Sequence, residues 1–257
     1  MKLSLLSLPL IAAVIFGGQP TVCAQVFTTD FNTSNGGFVG AVLAGSTGNQ
    51  TPTSWTYSAT AGVGANNGAW FVDNFAASSG NNGWIGLTLT SPVISISVTS
   101  DHRFSFNQRF SFEPAYDGGQ LQVSINGGAF VTVGNSAFTA GGYTGTIDSS
   151  YAGLSLIGGQ QAWTGDSTGY GSLSYVTSTA TIALSAGDSV MVRFLGVWDS
   201  ASVGSNPGWV VDNVAVTAIP EPAAIVFGAV AVVAVGYSRR LRSARRERAG
   251  RVVIPAC

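Results

Sequence analysis

The residue types that could do chemistry are few. One histidine, His102, stands beside Asp101, and with the many serines it supplies the names, though not the spacing, of a Ser-His-Asp hydrolase. Its place at the mouth of a strand reads instead as a solvated turn histidine. The two cysteines, Cys23 and Cys257, lie near the chain ends, and no His-Glu-x-x-His pair or phosphate-binding loop occurs. A zinc centre, which needs three or four ligands rich in nitrogen and sulfur, is excluded. A glycoside hydrolase needs only two carboxylates at a fixed separation. Ten acids fall between residues 25 and 218, but nothing singles out a pair, so no catalytic residue is assigned and a hydrolase is the least favoured reading.

The same acids suit a hard cation better. Glu113 and Asp117 flank a turn after a phenylalanine-rich strand, Asp30 opens the body of the chain and Asp212 closes it. Terminal strands of a sandwich often lie side by side, so Asp30 and Asp212 are expected to share one structural calcium ion with Glu113, with Asp117 a further candidate ligand. The competing use of each is to cap a turn through its side chain. Six aromatic residues, Trp55, Tyr57, Trp84, Trp163, Tyr170 and Trp198, lie in stretches rich in Gly, Ser, Thr and Asn. Exposed, they would stack on sugar rings; buried, they are core.

The elements that must position these residues read as strands. Phe104, Phe106, Phe110 and Phe112 alternate with polar residues, Gln108 keeping the register, which puts four rings on one sheet face. Leu121, Val123 and Ile125 alternate likewise, and Asn126-Gly127-Gly128 supplies a hairpin turn into residues 130–133. Residues 93–98, 173–176, 181–184, 190–195 and 209–216 complete the strand set, and no long amphipathic helix appears. Composition agrees: the chain is 46% hydrophobic with 34 glycines and only 9% charged, too apolar for disorder and too poor in helix formers for a helical fold. The expected architecture is all-β, an antiparallel β-sandwich of jelly-roll type over residues 25–218. The segment 70–74, Trp-Phe-Val-Asp-Asn, echoes Trp209 to Asn213 without making a repeat.

Charge is strongly partitioned. Seven of the ten arginines lie in the last nineteen residues, whereas residues 25–218 carry a net charge of −7, which argues against nucleic acid as a partner of the body. The first segment, 1–24, reads as a signal peptide: Lys2, an apolar run over residues 3–16, and Val22-Cys23-Ala24 as the cleavage site. Its removal leaves Cys257 alone, so no intramolecular disulfide staples the exported protein. At the other end Ile219-Pro220-Glu221-Pro222 precedes sixteen uncharged residues, 223–238, and then Arg239-Arg240-Leu241-Arg242. That span reaches ~24 Å as a helix, close to a hydrocarbon core once flanking residues snorkel. The arginines would hold its end on the cytoplasmic side, with the body outside.

Pro220-Glu221-Pro222, the Val/Ala/Gly span and the arginine cluster led by Arg239 and Arg240 together resemble the PEP-CTERM sorting signal of exported bacterial proteins. The resemblance implies a domain plan of signal peptide, sandwich and a sorting segment over 219–257, comprising motif 219–222, transmembrane helix 223–238 and basic tail 239–257. It further implies export machinery and a membrane exosortase as partners, passage through the inner membrane, and delivery to the cell surface or an exopolysaccharide matrix. Residues 249–257 extend beyond the usual pattern. More weakly, Phe112-Glu113, Tyr116-Asp117-Gly118-Gly119, Ser124 to Gly128, Gln161 to Gly165 and Gly208 to Val214 resemble MAM-like jelly-roll modules of secreted bacterial proteins. That resemblance implies a non-catalytic adhesion or binding module, often with a structural ion. Two readings follow: a surface-sorted structural or matrix-associated protein processed by an exosortase, or a lectin-like carbohydrate-binding module attached to exopolysaccharide. If the sorting reading holds, Glu221→Ala or deletion of residues 239–246 strands the protein in the inner membrane, as fractionation of cells would report; unchanged surface display of both variants would contradict it.

Overall fold

A computed structural model describes residues 24–64, 67–77, 83–151, 155–200 and 204–220. Residues 1–23 of the expected signal peptide 1–24, Glu221, Pro222, the span 223–238 and the basic tail with Arg239 and Arg240 lie outside the described residues. Among the described residues no helix is long and apolar enough to cross a membrane.

Every strand pairing is antiparallel, and two sheets face each other. The first sheet runs from Phe138–Ala140 (β10) through Val176–Leu184 (β13), Ser100–Phe110 (β7) and Trp209–Ala218 (β15) to Ala69–Val72 (β4) and Thr56–Ser58 (β3). Gln25–Thr29 (β1) pairs with the far half of β15, so the described ends of the body are hydrogen-bonded neighbours, Gln25 opposite Thr217. The second sheet runs from Val39–Val42 (β2) through Ile85–Thr90 (β5), Ser189–Trp198 (β14) and Gly118–Ile125 (β8) to Val131–Thr132 (β9), with Ile94–Ser95 (β6) also on β14. A small ribbon, Gly145–Thr146 (β11) with Gln161–Ala162 (β12), lies apart. Successive strands cross repeatedly between the sheets, as the expected β-sandwich requires.

The phenylalanine alternation places Phe104, Phe106 and Phe110 inward, each buried, and Phe112 follows them into the core. Between the sheets, Phe106 meets Phe194 edge-on at 4.9 Å and Trp163 at 5.7 Å. Trp209 stands among Trp55, Phe112, Trp163 and Phe194 at 5.2–5.9 Å. Gln108, the polar member of the inward stripe, is fully buried: its side-chain oxygen accepts from Trp209 Nε1 at 2.9 Å and its amide donates to Ser178 Oγ at 2.7 Å. Two glycines make room for indoles. A Cβ on Gly119 would lie 2.8 Å from Trp209, and one on Gly196 would lie 2.4 Å from Trp198.

Several expectations need correction. Strands β1 to β5 were not foreseen, apart from the Trp70 echo, which is the inter-strand pairing of β4 with β15, Val211 opposite Trp70. Residues 173–176 are not a strand: Leu173 closes a 3-10 turn at φ 58° and is 68% exposed, and β13 starts only at Val176 and runs unbroken through 181–184. The hairpin stands as read, with Asn126 and Gly127 at φ 54° and 71°. His102 is not a solvated turn histidine; it is buried on the inward face of β7, with Nδ1 2.9 Å from Ser100 O.

Phe106→Ala should cost about 3–5 kcal/mol in denaturant unfolding, whereas Arg103→Ala, exposed on the other face of β7, should change stability by about 0.5 kcal/mol or less.

Candidate functional site

The outward face of the first sheet carries an open groove of about 620 Å³. Register explains its floor. Val210 of β15 lies opposite Arg109 of β7 on one side and Phe71 of β4 on the other. Phe71 lies opposite Thr56 of β3, and Tyr175, one residue ahead of β13, faces Arg109 across the adjacent pairing. One row thus crosses five strands, from Tyr175 through Arg109, buried Val210 and Phe71 to Thr56. Three inter-strand steps of ~4.8 Å separate the aromatic pair, Phe71 and Tyr175, by ~14 Å. Ser58, Thr60 and Asp73 add polar groups to the lining, and exposed Leu173 forms part of the rim.

Arg109 is the fixed charge of this site. It is 8% exposed, and its guanidinium carbon stands 5.1 Å from the Tyr170 ring centroid and 5.8 Å from that of Tyr175. Cation–π attraction pins the cation between two rings. Burial raises both phenol pKa values above the usual 10, against the opposing pull of Arg109, so both rings keep their protons at neutral pH. The hydroxyls are used structurally: Tyr170 donates to Pro207 O at 2.8 Å and Tyr175 donates to Ala61 O. Both rings are therefore locked before any ligand arrives.

Of the six aromatics singled out from sequence, only Tyr170 belongs to this neighbourhood. Trp55, Trp163 and Trp198 are at most 4% exposed and are core, not sugar-stacking rings. Tyr57 is half-buried and donates to Phe31 O at 2.8 Å, while Trp84 packs on a satellite cluster with Ile147, Ile157, Leu195 and Val197. Phe71 and Tyr175 went unnoticed because each is an ordinary strand aromatic alone; only the register joins them.

The four predicted cation ligands divide into two places. Asp212 lies opposite Asn107, six residues before Glu113, which puts ~20 Å of extended chain between them. Asp212 is buried and held by backbone N–H groups, Val63 N on Oδ2 at 2.7 Å and Asn213 N on Oδ1 at 2.6 Å. Burial raises its pKa, and the nearby charge of Asp30 adds to that. Asp30 accepts from Asn32 N and Nδ2 at 3.1 and 3.0 Å. Asp30 thus caps its own turn, whereas Asp212, inside β15, takes an N–H from the chain after β3, and neither shares a site with Glu113. Glu113 and Asp117 do meet, and the third carboxylate beside them is Asp199, all within 4.8 Å.

One pattern passed over in sequence is Gly165-Asp166-Ser167-Thr168-Gly169, the spelling of a nucleophile elbow. Ser167 is 3% exposed and its Oγ accepts from Phe110 N at 3.1 Å. His102 sits on the same strand eight residues from Phe110, ~27 Å away, so no triad can form.

No family profile matches the chain. No curated protein matches it either. Among solved structures, a family 22 xylan-binding domain is similar at 9% identity, covering 76% of this chain and 96% of that one, with a TM-score of 0.39. A family 61 carbohydrate-binding module solved with β-1,4-galactotriose is similar at 11% identity, covering 70% and 88%, with a TM-score of 0.36. The K1 cleaved adhesin domain of Lys-gingipain from Porphyromonas gingivalis W83 is similar at 14% identity, covering 75% and 97%, with a TM-score of 0.39. These distant likenesses assign a role to no residue of this chain.

Proposed function

We propose that the protein binds a neutral polysaccharide in the groove on the outward face of the first sheet, without turning it over. One observation carries the reading: Phe71 and Tyr175 flank the pinned Arg109 along one row of an open groove. Aromatic faces match the apolar faces of sugar rings, and Arg109, Asp73, Ser58 and Thr60 offer donors and acceptors to hydroxyls. An open groove of this size suits a polymer rather than a small metabolite. The body's net charge of −7 repels acidic polymers, which favours an uncharged one. Binding without hydrolysis fits the lining, where Asp73 is the one carboxylate among the described residues and a glycosidase needs two.

The chain beyond the body fits the same biology. A sorting segment over 219–257, handled by export machinery and an exosortase, would deliver the module to the cell surface or matrix, where exopolysaccharide is at hand. A surface structural protein with no ligand is the alternative, and binding assays separate the two. Affinity electrophoresis of the purified protein in a panel of neutral polysaccharides should show retardation in at least one. Burying a ring on a sugar face is worth about 1.5–3 kcal/mol, so Phe71→Ala and Tyr175→Ala should each weaken retention about tenfold or more. Val131→Ala, 64% exposed on the other sheet, should leave it unchanged. No retardation in any neutral polymer, or equal retardation of all three variants, would overturn the proposal.

A further inference from the structure

The end of the sandwich where β7, β8 and β14 stop carries a feature that saccharide binding does not use. Asp117 immediately precedes β8 and Asp199 immediately follows β14, and the pairing of these strands, Val197 opposite Gly118, makes the two acids neighbours. Glu113 begins the turn that ends at Asp117, whose N–H returns to Glu113 O at 3.1 Å. Asp117 is 1% exposed and Asp199 6%. Asp199 is fixed from both sides: its N–H donates to Asp117 Oδ1 at 2.8 Å and its carbonyl accepts from Ala77 N at 2.6 Å.

Three carboxylates so close cannot all stay charged and dry without compensation. Burial first, then the charges of Asp199 and Glu113, push the Asp117 carboxyl well above the ordinary carboxylate range. A second observation points to what is missing. Asp117 Oδ2 is buried without a hydrogen-bond partner, and an unsatisfied buried carboxylate oxygen carries its desolvation penalty uncompensated. The donor set is all oxygen, two carboxylates from one turn and a third from the chain leaving β14, which suits a large cation tolerant of irregular geometry over one that demands an octahedron.

We propose that Glu113, Asp117 and Asp199 hold a calcium ion, with Asp117 Oδ2 as its innermost ligand. The ion ties the turn between β7 and β8 to the chain leaving β14, replacing mutual repulsion with shared attraction. It lies apart from the Asp30–Asp212 pair and is independent of the saccharide reading, since none of its three ligands lines the groove.

The test is thermal unfolding of the full chain, stripped with chelator and then titrated with calcium chloride, alongside calorimetric titration. At a hundredfold excess over its dissociation constant, calcium should raise the melting temperature by roughly 5–10 °C, with one ion bound per chain, and magnesium should give a much smaller rise. Asp117→Asn and Asp199→Asn should each remove most of the response, while Asp30→Asn should keep it. If Asp117→Asn does not fold, Asp199→Asn alone decides. A melting temperature indifferent to calcium and to chelator, or a response kept in Asp199→Asn and lost in Asp30→Asn, would overturn the proposal. Polysaccharide retention measured on the same samples keeps the two proposals separable.

Discussion

The indole N–H of Trp209 is sealed between two sheets, and its bond to Gln108 Oε1 at 2.9 Å fixes how β15 lies on β7. A buried indole donor left unpaired costs on the order of 1–3 kcal/mol. Gln108 meets that need and passes its own amide proton to Ser178, whose hydroxyl reaches Gly141 O at 2.6 Å. The indole of Trp163 donates to Gly141 and Gly142 O, so the loop after β10 closes the same chain of bonds. A one-residue slip of β15 would turn Trp209 outward and break every link. With this register set, Val210 must face out between Arg109 and Phe71, and the groove follows from the core rather than from its own residues.

The groove and the acidic end use the same scaffold in different ways. Along the row, strand register places aromatic rings on either side of one cation, and locked tyrosine hydroxyls leave little side-chain entropy to lose on binding. At the sheet end, register sets two aspartates side by side, and the proposed calcium ion would relieve their repulsion. The acidic site is built from the short turn between β7 and β8 and the residue after β14, whereas the groove adds to its strand row residues 60–64 after β3 and Leu173 ahead of β13.

Legibility from sequence tracked periodicity. The alternation at Phe104–Phe110 was plain because β7 is buried on one face, and Asn126-Gly127 announced its turn through residues that tolerate positive φ. Strand β5 was passed over although Ile85, Leu87 and Leu89 alternate with Gly86, Thr88 and Thr90. In β14 the alternation fades at Leu195 and Val197, whose outer face is covered by Ile147, Ile157 and Ala162. Glu113 and Asp117 were read together because they stand four positions apart in one turn, whereas Asp199 joins them only through the β8–β14 pairing. Asp30 lies near enough to Asp212 for its charge to raise the Asp212 pKa, but Glu113, expected with them, stands in another part of the fold.

The central claim is that a saccharide chain lies across the first sheet between Phe71 and Tyr175. Amide chemical-shift mapping during titration with a retained neutral oligosaccharide tests it most directly. Saturable shifts are expected at Ser58, Phe71, Asp73, Arg109 and Tyr175, with Gln122 and Thr132 on the outward face of the other sheet unmoved. Shifts clustered at Gln122 and Thr132, or none at Phe71 and Tyr175 at saturating ligand, would contradict it.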